Sequence, residues 1–337
     1  MMPDTKSLSD KGLSMATLSP VSPWLGASLI ILFTLCAHYP VLLADYVWDD
    51  DGVIVNNEEL RDIDGLWRIW MNPSSMEQEH HYWPLTYSTF WLEYQIWGAR
   101  PLGYHVNNLV LHTLNALLFW WLLARMRVVG NWFAAALFAV HPVHVESIAW
   151  VTERKGLLAG LFFLLAFHCF VRFRREGLRR FYLATCVLFV LGLLSKSSVF
   201  ALPLVLAVWL WFDNATDLGK RLLGLVPIGF VGLGMGLADW WFFRDRYSVD
   251  LGFSLFQRLV IAGRVIWFYL SKIVVPFPLL AVYPRWELQH GLLLQCLYPT
   301  ALLLVAWILW WQRKRTGRAP LAAVASFVAL LLPVLGF

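Results

Sequence analysis

Charge is what this chain has least of: 15% of its 337 residues are Asp, Glu, Lys or Arg, against 59% hydrophobic. A soluble domain of this size buries a core with far fewer apolar residues, so a soluble globular protein is excluded. Uncharged runs of about 18 residues or more read instead as membrane helices. Cysteine is also scarce. Cys36, Cys169, Cys186 and Cys296 all lie in or beside apolar runs, which excludes a disulfide framework. The first apolar run lacks a small-residue cleavage site and is too long for a removed signal peptide, so it is a retained span. No repeat and no soluble domain is found. The net charge of +5 comes from short basic clusters between apolar runs, the arrangement that fixes the orientation of a membrane protein rather than one that binds nucleic acid.

What the chain does have is a crowded acidic motif immediately after that first span. Asp45, Asp49, Asp50 and Asp51 fall within seven residues, ending in Gly52-Val53-Ile54-Val55-Asn56-Asn57. Clustered carboxylates repel one another, so one of them should hold its proton more tightly or meet a cation, and either outcome suits a catalytic base. A hydrated, acidic loop start is the alternative.

Residues 1–21 are polar and Ser-rich and are expected to be a disordered cytoplasmic tail; residues 22–337 are expected to form the membrane domain. The first span runs from about Pro23 to Leu43. The loop from Asp45 to Arg100 holds eleven acids, three Arg and no Lys, which puts it outside. Within it, Leu60 to Met71 and Leu85 to Trp97 are predicted to be amphipathic surface helices anchored by Trp67, Trp70, Trp91 and Trp97. Further spans are predicted over Pro101 to Ala124, Val128 to Val140 and Gly156 to Val171. The Arg cluster from Arg172 to Arg180 lies inside. Two short spans flank Ser195-Lys196-Ser197-Ser198, another covers Leu222 to Phe243, and one covers Leu288 to Trp311. Gln257 to Pro276 carries Arg258, Arg264 and Lys272, and a central Arg costs about 2.5 to 3.5 kcal/mol on insertion scales, so it is expected to be interfacial or re-entrant. Ala319 to Phe337 opens a helix with no exit anchor, which leads to the expectation that the chain is the front portion of a longer protein.

Several motifs coincide in order. They are YVWDDDGVIVNN (Tyr46 to Asn57), YWPLTYSTFWLEYQIWG (Tyr82 to Gly98), GYHVNNLVLHTLNALLFW (Gly103 to Trp120), HPVHVESIAWVTERKGLLAGLFFLLAF (His141 to Phe167), LLSKSSVFALPLVL (Leu193 to Leu206) and AGRVIWFYLSKIVVPFPLLAVYPRW (Ala262 to Trp286). Together they resemble the membrane part of the transmembrane and tetratricopeptide-repeat O-mannosyltransferases and their bacterial relatives, over nearly everything from residue 24 on. The resemblance implies an all-α polytopic membrane protein with a GT-C glycosyltransferase-like helical bundle and a long outer loop. It also implies a polyprenyl- or dolichyl-phosphate sugar donor, a protein acceptor, and a catalytic carboxylate in the acidic pair after the first span. Where animal members have Tyr-Arg-Pro-Leu, this chain has Tyr82-Trp83-Pro84-Leu85, so that Arg has no counterpart. The repeats and last spans expected by the resemblance are missing from the sequence.

Matching to the family's acidic pair assigns the base to Asp50 first and Asp49 second, with Asp51 and Asp45 behind them. The predicted topology gathers Lys196, Arg264, Arg154, Lys155 and Arg285 on the outer side as candidates for the donor phosphate, since fixed cations stabilise a leaving phosphate. Headgroup snorkelling is the alternative for Arg154 and Lys155. Glu146, His144 and His141 are candidates for positioning the acceptor. They are also the candidates for a divalent metal, which the chemistry does not require; their spacing is not that of a helical zinc motif and Pro142 interrupts it. His80 and His81 are expected to be solvated, and His112 and Asn115 to bond to neighbouring helices. The expected function is an inverting transfer of a sugar, mannose by resemblance, to a protein Ser or Thr hydroxyl at the outer face of a bacterial inner membrane. A transporter or lipid flippase, and a non-catalytic membrane anchor, are the alternatives.

Overall fold

A computed structural model describes residues 22–72, 81–213, 217–244, 253–284, 286 and 292–335. The tail at 1–21, His80 and Arg285 lie outside the described residues. All regular structure among the described residues is helical, so this is an all-α polytopic membrane protein. Three helical stretches are long and apolar enough to cross a membrane: Pro23–Leu43, Pro101–Arg125 and Val151–Glu176. The first begins as α1 (Pro23–His38), with Pro at its first position, where its missing N–H costs nothing.

The long loop after the first span folds back on the bundle. A helical turn (Asp51–Val55) leads into α2 (Ile63–Met71) and α3 (Pro84–Trp97), and then into the long α4 (Pro101–Arg125). Val53, Ile54, Leu60, Ile69, Tyr87, Phe90, Tyr104 and Val151 form a small apolar core beneath this loop, which seats the acidic motif on α4 and on the turn before α7. The helix at 84–97 differs from the expected amphipathic one. Its buried face holds Thr86 and Glu93 as well as Tyr87 and Phe90, while Leu92 and Ile96 are exposed. Only part of the expected Trp anchoring appears: Trp67 and Trp97 are exposed, whereas Trp70 donates to Ser88 Oγ and Trp91 to the Asp62 carbonyl.

Beyond α4 lies α5 (Asn131–Val140), ten residues and too short to cross alone. A 48° bend at Pro142 joins it to a stretch ending in α6 (Val145–Ala149), making a broken span or a re-entrant pair. α7 (Arg154–Glu176) is 23 residues, about 35 Å at 1.5 Å per residue, and suffices for a hydrocarbon core of about 30 Å. It stops at Gly177, whose φ of 72° satisfies the left-handed C-cap. α8 (Arg179–Ser195) packs back along α7, and a 3₁₀ turn (Ser197–Ala201) leads into α9 (Leu202–Phe212). Phe167, Phe170, Phe189, Leu193, Leu206 and Trp209 make the main core between these three helices. α10 (Leu218–Leu223) and α11 (Val226–Arg244) follow, and α12 (Leu255–Val274) is one unbroken helix over the segment expected to be interfacial or re-entrant. α13 (Leu292–Gln295), α14 (Leu297–Thr316) and α15 (Ala319–Leu331) complete the chain.

Candidate functional site

The two leading carboxylates have opposite surroundings. Asp50 is fully buried. Its Oδ1 accepts the Thr152 N–H at 2.8 Å and the Thr152 hydroxyl, and its Oδ2 accepts the Val47 N–H at 3.2 Å and the Val151 N–H at 3.1 Å. Burial pushes this carboxyl above its usual range, and the four donors pull it back. Both oxygens are thus committed to tying the acidic loop to the turn at Val151–Glu153. Beside it, burial and then Asp50, Asp45 and Asp51 push the Tyr46 hydroxyl up, so it keeps its proton.

Asp49 is exposed. Its Oδ1 accepts the Trp150 indole N–H at 2.8 Å and lies 3.3 Å from the Thr152 hydroxyl; among the described residues Oδ2 meets no protein donor. The preceding residue, Trp48, has a φ of 55°, a conformation that costs a non-glycine residue about 1–3 kcal/mol and that turns the chain so that Asp49 faces out while Asp50 faces in. Trp48 is 60% exposed and stands edge-on to Trp150 at 4.7 Å, forming an aromatic wall beside Asp49.

Trp150 links this carboxylate to a cluster of cations. Lys155 Nζ lies 5.7 Å from the Trp150 ring and 5.0 Å from the Trp83 ring, both within cation–π range. Glu153 bridges the two lysines, with Oε1 3.4 Å from Lys155 Nζ and Oε2 3.2 Å from Lys196 Nζ. Glu146 is exposed and within electrostatic reach of Glu153 and Lys196. Trp83 donates at 3.4 Å to Ser197 Oγ, next to Lys196. Ser197 in turn donates to Asp239 Oδ2 at 2.7 Å. His81 corrects its expected solvated state: it stacks on Trp83 at 4.4 Å and bonds to Asp239 at 3.0 Å.

Behind the cluster opens a cavity of about 850 Å³. Lys196, Glu153, Ser147, Ser198 and His144 line its polar mouth; Phe163, Phe167, Trp209, Phe212, Phe327 and other apolar side chains of α4, α7, α9 and α15 line the rest. His112 donates to the Ala139 carbonyl at 3.0 Å and Asn115 to the Leu157 carbonyl at 2.9 Å, so both join neighbouring helices as expected.

Other candidates are placed elsewhere. Arg154 does not face the cluster: it is fully buried, ion-paired with Glu93, and donates to Asn108 Oδ1 at 2.8 Å and to the Tyr104 carbonyl at 2.9 Å. Its guanidinium points under α3, so the phosphate role expected for it gives way to a structural one; snorkelling to headgroups is equally ruled out by the burial. Arg264 lies over the Trp286 ring at 4.2 Å and near Tyr298, and is not among the residues lining the cavity. His141 donates from Nε2 to the Ile273 carbonyl at 2.9 Å and accepts the Val143 N–H at Nδ1, which occupies both nitrogens and joins the bend to α12. His144 packs against Phe138 and His112 at the cavity wall. Among the described residues no group of three His, Cys, Asp or Glu is arranged to hold a metal ion.

Trp48, Trp150 and Glu153 were not singled out from the sequence, and Trp83 was noted only as a departure from the family pattern. One signal was available for Asp50: it shares with Val53 and Ile54 an i, i+3, i+4 spacing, the mark of a buried helical face.

No family model matches the chain, and no solved structure matches it. Curated relatives do. The chain is 32% identical over 217 residues to a protein O-mannosyl-transferase of Caenorhabditis elegans, F38B6.6, covering 60% of this chain and 31% of that protein. It is 34% identical over 150 residues to the protein O-mannosyl-transferase TMTC3 of Mus musculus, covering 42% of this chain and 16% of that one. It is 37% identical over 155 residues to TMTC4 of Homo sapiens, covering 40% and 21%. The chain therefore spans less than a third of the length of these relatives. Over part of its length, this multi-pass membrane protein is thus similar to protein O-mannosyl-transferases, TMTC3 and TMTC4 among them.

Proposed function

We propose that this chain is the catalytic membrane part of a GT-C glycosyltransferase that moves mannose from a polyprenyl phosphate to a Ser or Thr hydroxyl of a protein, at the outer face of a bacterial inner membrane. The observation that carries the reading is one connected array: an exposed carboxylate oxygen on Asp49, the Trp150 indole that holds its partner oxygen, and the Lys155–Glu153–Lys196 cluster at the mouth of a largely apolar cavity. A lipid-linked donor has the same profile, with a long apolar chain, one phosphate and a polar sugar. In this reading the chain lies in the cavity and the phosphate meets the lysines. Sequence matching ranks Asp50 ahead of Asp49; the burial and saturation of Asp50 support the reverse order, with Asp50 positioning the loop.

Asp49 then takes the proton of the acceptor hydroxyl as the oxygen attacks the anomeric carbon. The carbon–oxygen bond to the phosphate breaks on the opposite face, giving inversion, and Lys155 and Lys196 stabilise the charge on the leaving phosphate. The reaction needs no metal in this scheme.

The test is transfer of radiolabelled polyprenyl-phosphate mannose to a Ser/Thr peptide by membranes carrying the full-length protein. Asp49→Asn is expected to lose about 10² to 10⁴ in rate with its fold intact, the usual scale for removing a general base. Asp50→Asn is expected to lose thermal stability as well, because its amide turns a donor toward backbone N–H groups that need an acceptor. Full activity in Asp49→Asn with an inactive but stably folded Asp50→Asn returns the base to Asp50; activity in the double variant ends the mechanism.

A further inference from the structure

A phosphate that is to be held by Lys155 and Lys196 meets a competitor already built into the chain. Glu153 bridges the two ammonium groups at 3.4 and 3.2 Å with one oxygen for each, the arrangement two phosphate oxygens adopt between two lysines. It lies at the cavity mouth, and its side chain retains 17% exposure, so it has room to swing aside. Glu146 lies close enough to repel it. The two carboxylates and two ammonium groups together balance to zero charge.

The balance bears on the two lipids the reaction handles. The donor is a phosphodiester with one negative charge; the product is a phosphomonoester carrying about 1.5 to 2 at neutral pH. A bare pair of lysines therefore grips product harder than substrate, and turnover stalls on release. We propose that Glu153 is a positioning residue that competes with lipid phosphate for Lys155 and Lys196, and that its return to the lysines expels the polyprenyl phosphate product. This rests on the reading of the lysine pair as the donor-phosphate site.

The experiment measures binding of polyprenyl phosphate and of polyprenyl-phosphate mannose to the purified full-length protein, in wild type, Glu153→Gln, Glu153→Asp and Lys196→Gln. Glu153→Gln is expected to bind polyprenyl phosphate about tenfold more tightly and the donor about threefold more tightly, the scale of one partly exposed charge pair. Its kcat is expected to fall through slow release, with stronger inhibition by added product. Glu153→Asp, which keeps the charge, is expected to restore near wild-type affinity. Unchanged or weaker product binding in Glu153→Gln, while Lys196→Gln still weakens both lipids, overturns the role of Glu153 and leaves the donor site standing. Unchanged affinities in Lys196→Gln remove the donor site itself.

Discussion

The shorter of two hydrogen bonds to Asp49 Oδ1 sets the direction in which Asp49 presents its free oxygen. The Trp150 indole N–H holds Oδ1 at 2.8 Å, while the same ring stands between Trp48 and Lys155. Trp150→Phe keeps an aromatic ring near both neighbours while removing the N–H donor together with the second ring. A hydrogen bond to a charged group contributes about 1.5 to 3 kcal/mol, and its loss leaves Asp49 held only by the longer Thr152 contact. We expect kcat to fall about tenfold with the KM for the donor unchanged, measured by steady-state transfer; an unchanged kcat refutes this orienting role. The acidic motif itself was legible, since four carboxylates beside a span have few structural uses. Which of them faces out was half-legible, through the helical spacing of Asp50, Val53 and Ile54. Trp150 and Glu153 were not, because what they do depends on partners far along the chain: Trp150 meets Asp49 across 101 residues and Glu153 meets Lys196 across 43. No local pattern encodes such a pairing.

Between elements, close approach matters more than hydropathy, because helices in lipid gain little from burying one apolar face rather than another. α12 and α14 show this. A Cβ added at Gly263 meets the Pro299 ring at 2.7 Å, so only glycine lets the two helices cross as they do. The crossing also holds Trp267, which donates to the Tyr298 carbonyl at 2.9 Å, and it carries Arg264 over Trp286. Gly263→Val is therefore expected to force α12 outward, at a cost of about 1 to 3 kcal/mol for overpacking. The check is the apparent Tm of detergent-solubilised protein; a Tm equal to wild type shows that the crossing is not tight. Helix positions in the loop after the first span were read well from the sequence, since α2 and α3 fall where the Trp-rich pieces are. The face that α3 buries was misjudged. In water the apolar side turns in, but here Leu92 and Ile96 are exposed, while Thr86 bonds to the Ser195 carbonyl and Glu93 pairs with Arg154. The helix within the expected span at Val128 to Val140 is shorter than a span: α5 has ten residues and continues through the bend at Pro142 into α6, as a broken span or a re-entrant pair.

Across the whole molecule, the candidate site and the strongest basic cluster lie at opposite ends of the same helices. α7 starts at Arg154 and Lys155, beside Glu153 and the acidic loop, and ends among Arg172, Arg174 and Arg175. There Arg175 donates to the Arg125 carbonyl at 2.7 Å, which gathers the end of α4 to the same side, and α8 begins with Arg179 and Arg180 before returning to Lys196. Hydropathy and charge segregation made this back-and-forth legible. The cavity was not, because α4, α7, α9 and α15 each supply part of its wall. Basic residues are retained on the cytoplasmic side, so the Arg end is expected inside and the acidic loop outside. Leu178, 43% exposed in the turn between α7 and α8, and Glu58, exposed in the acidic loop, are suited to reporting this. The native cysteines are first replaced by serine or alanine, because Cys36 is itself exposed. Glu58→Cys is then expected to react with an impermeant maleimide added from outside, and Leu178→Cys only after the membrane is opened. Labelling of Leu178→Cys in sealed cells inverts the orientation, and with it the side on which Asp49 meets an acceptor. Equal labelling of both cysteines from outside is incompatible with α7 crossing the bilayer, since its length of about 35 Å leaves no way for both ends to share one surface without a break.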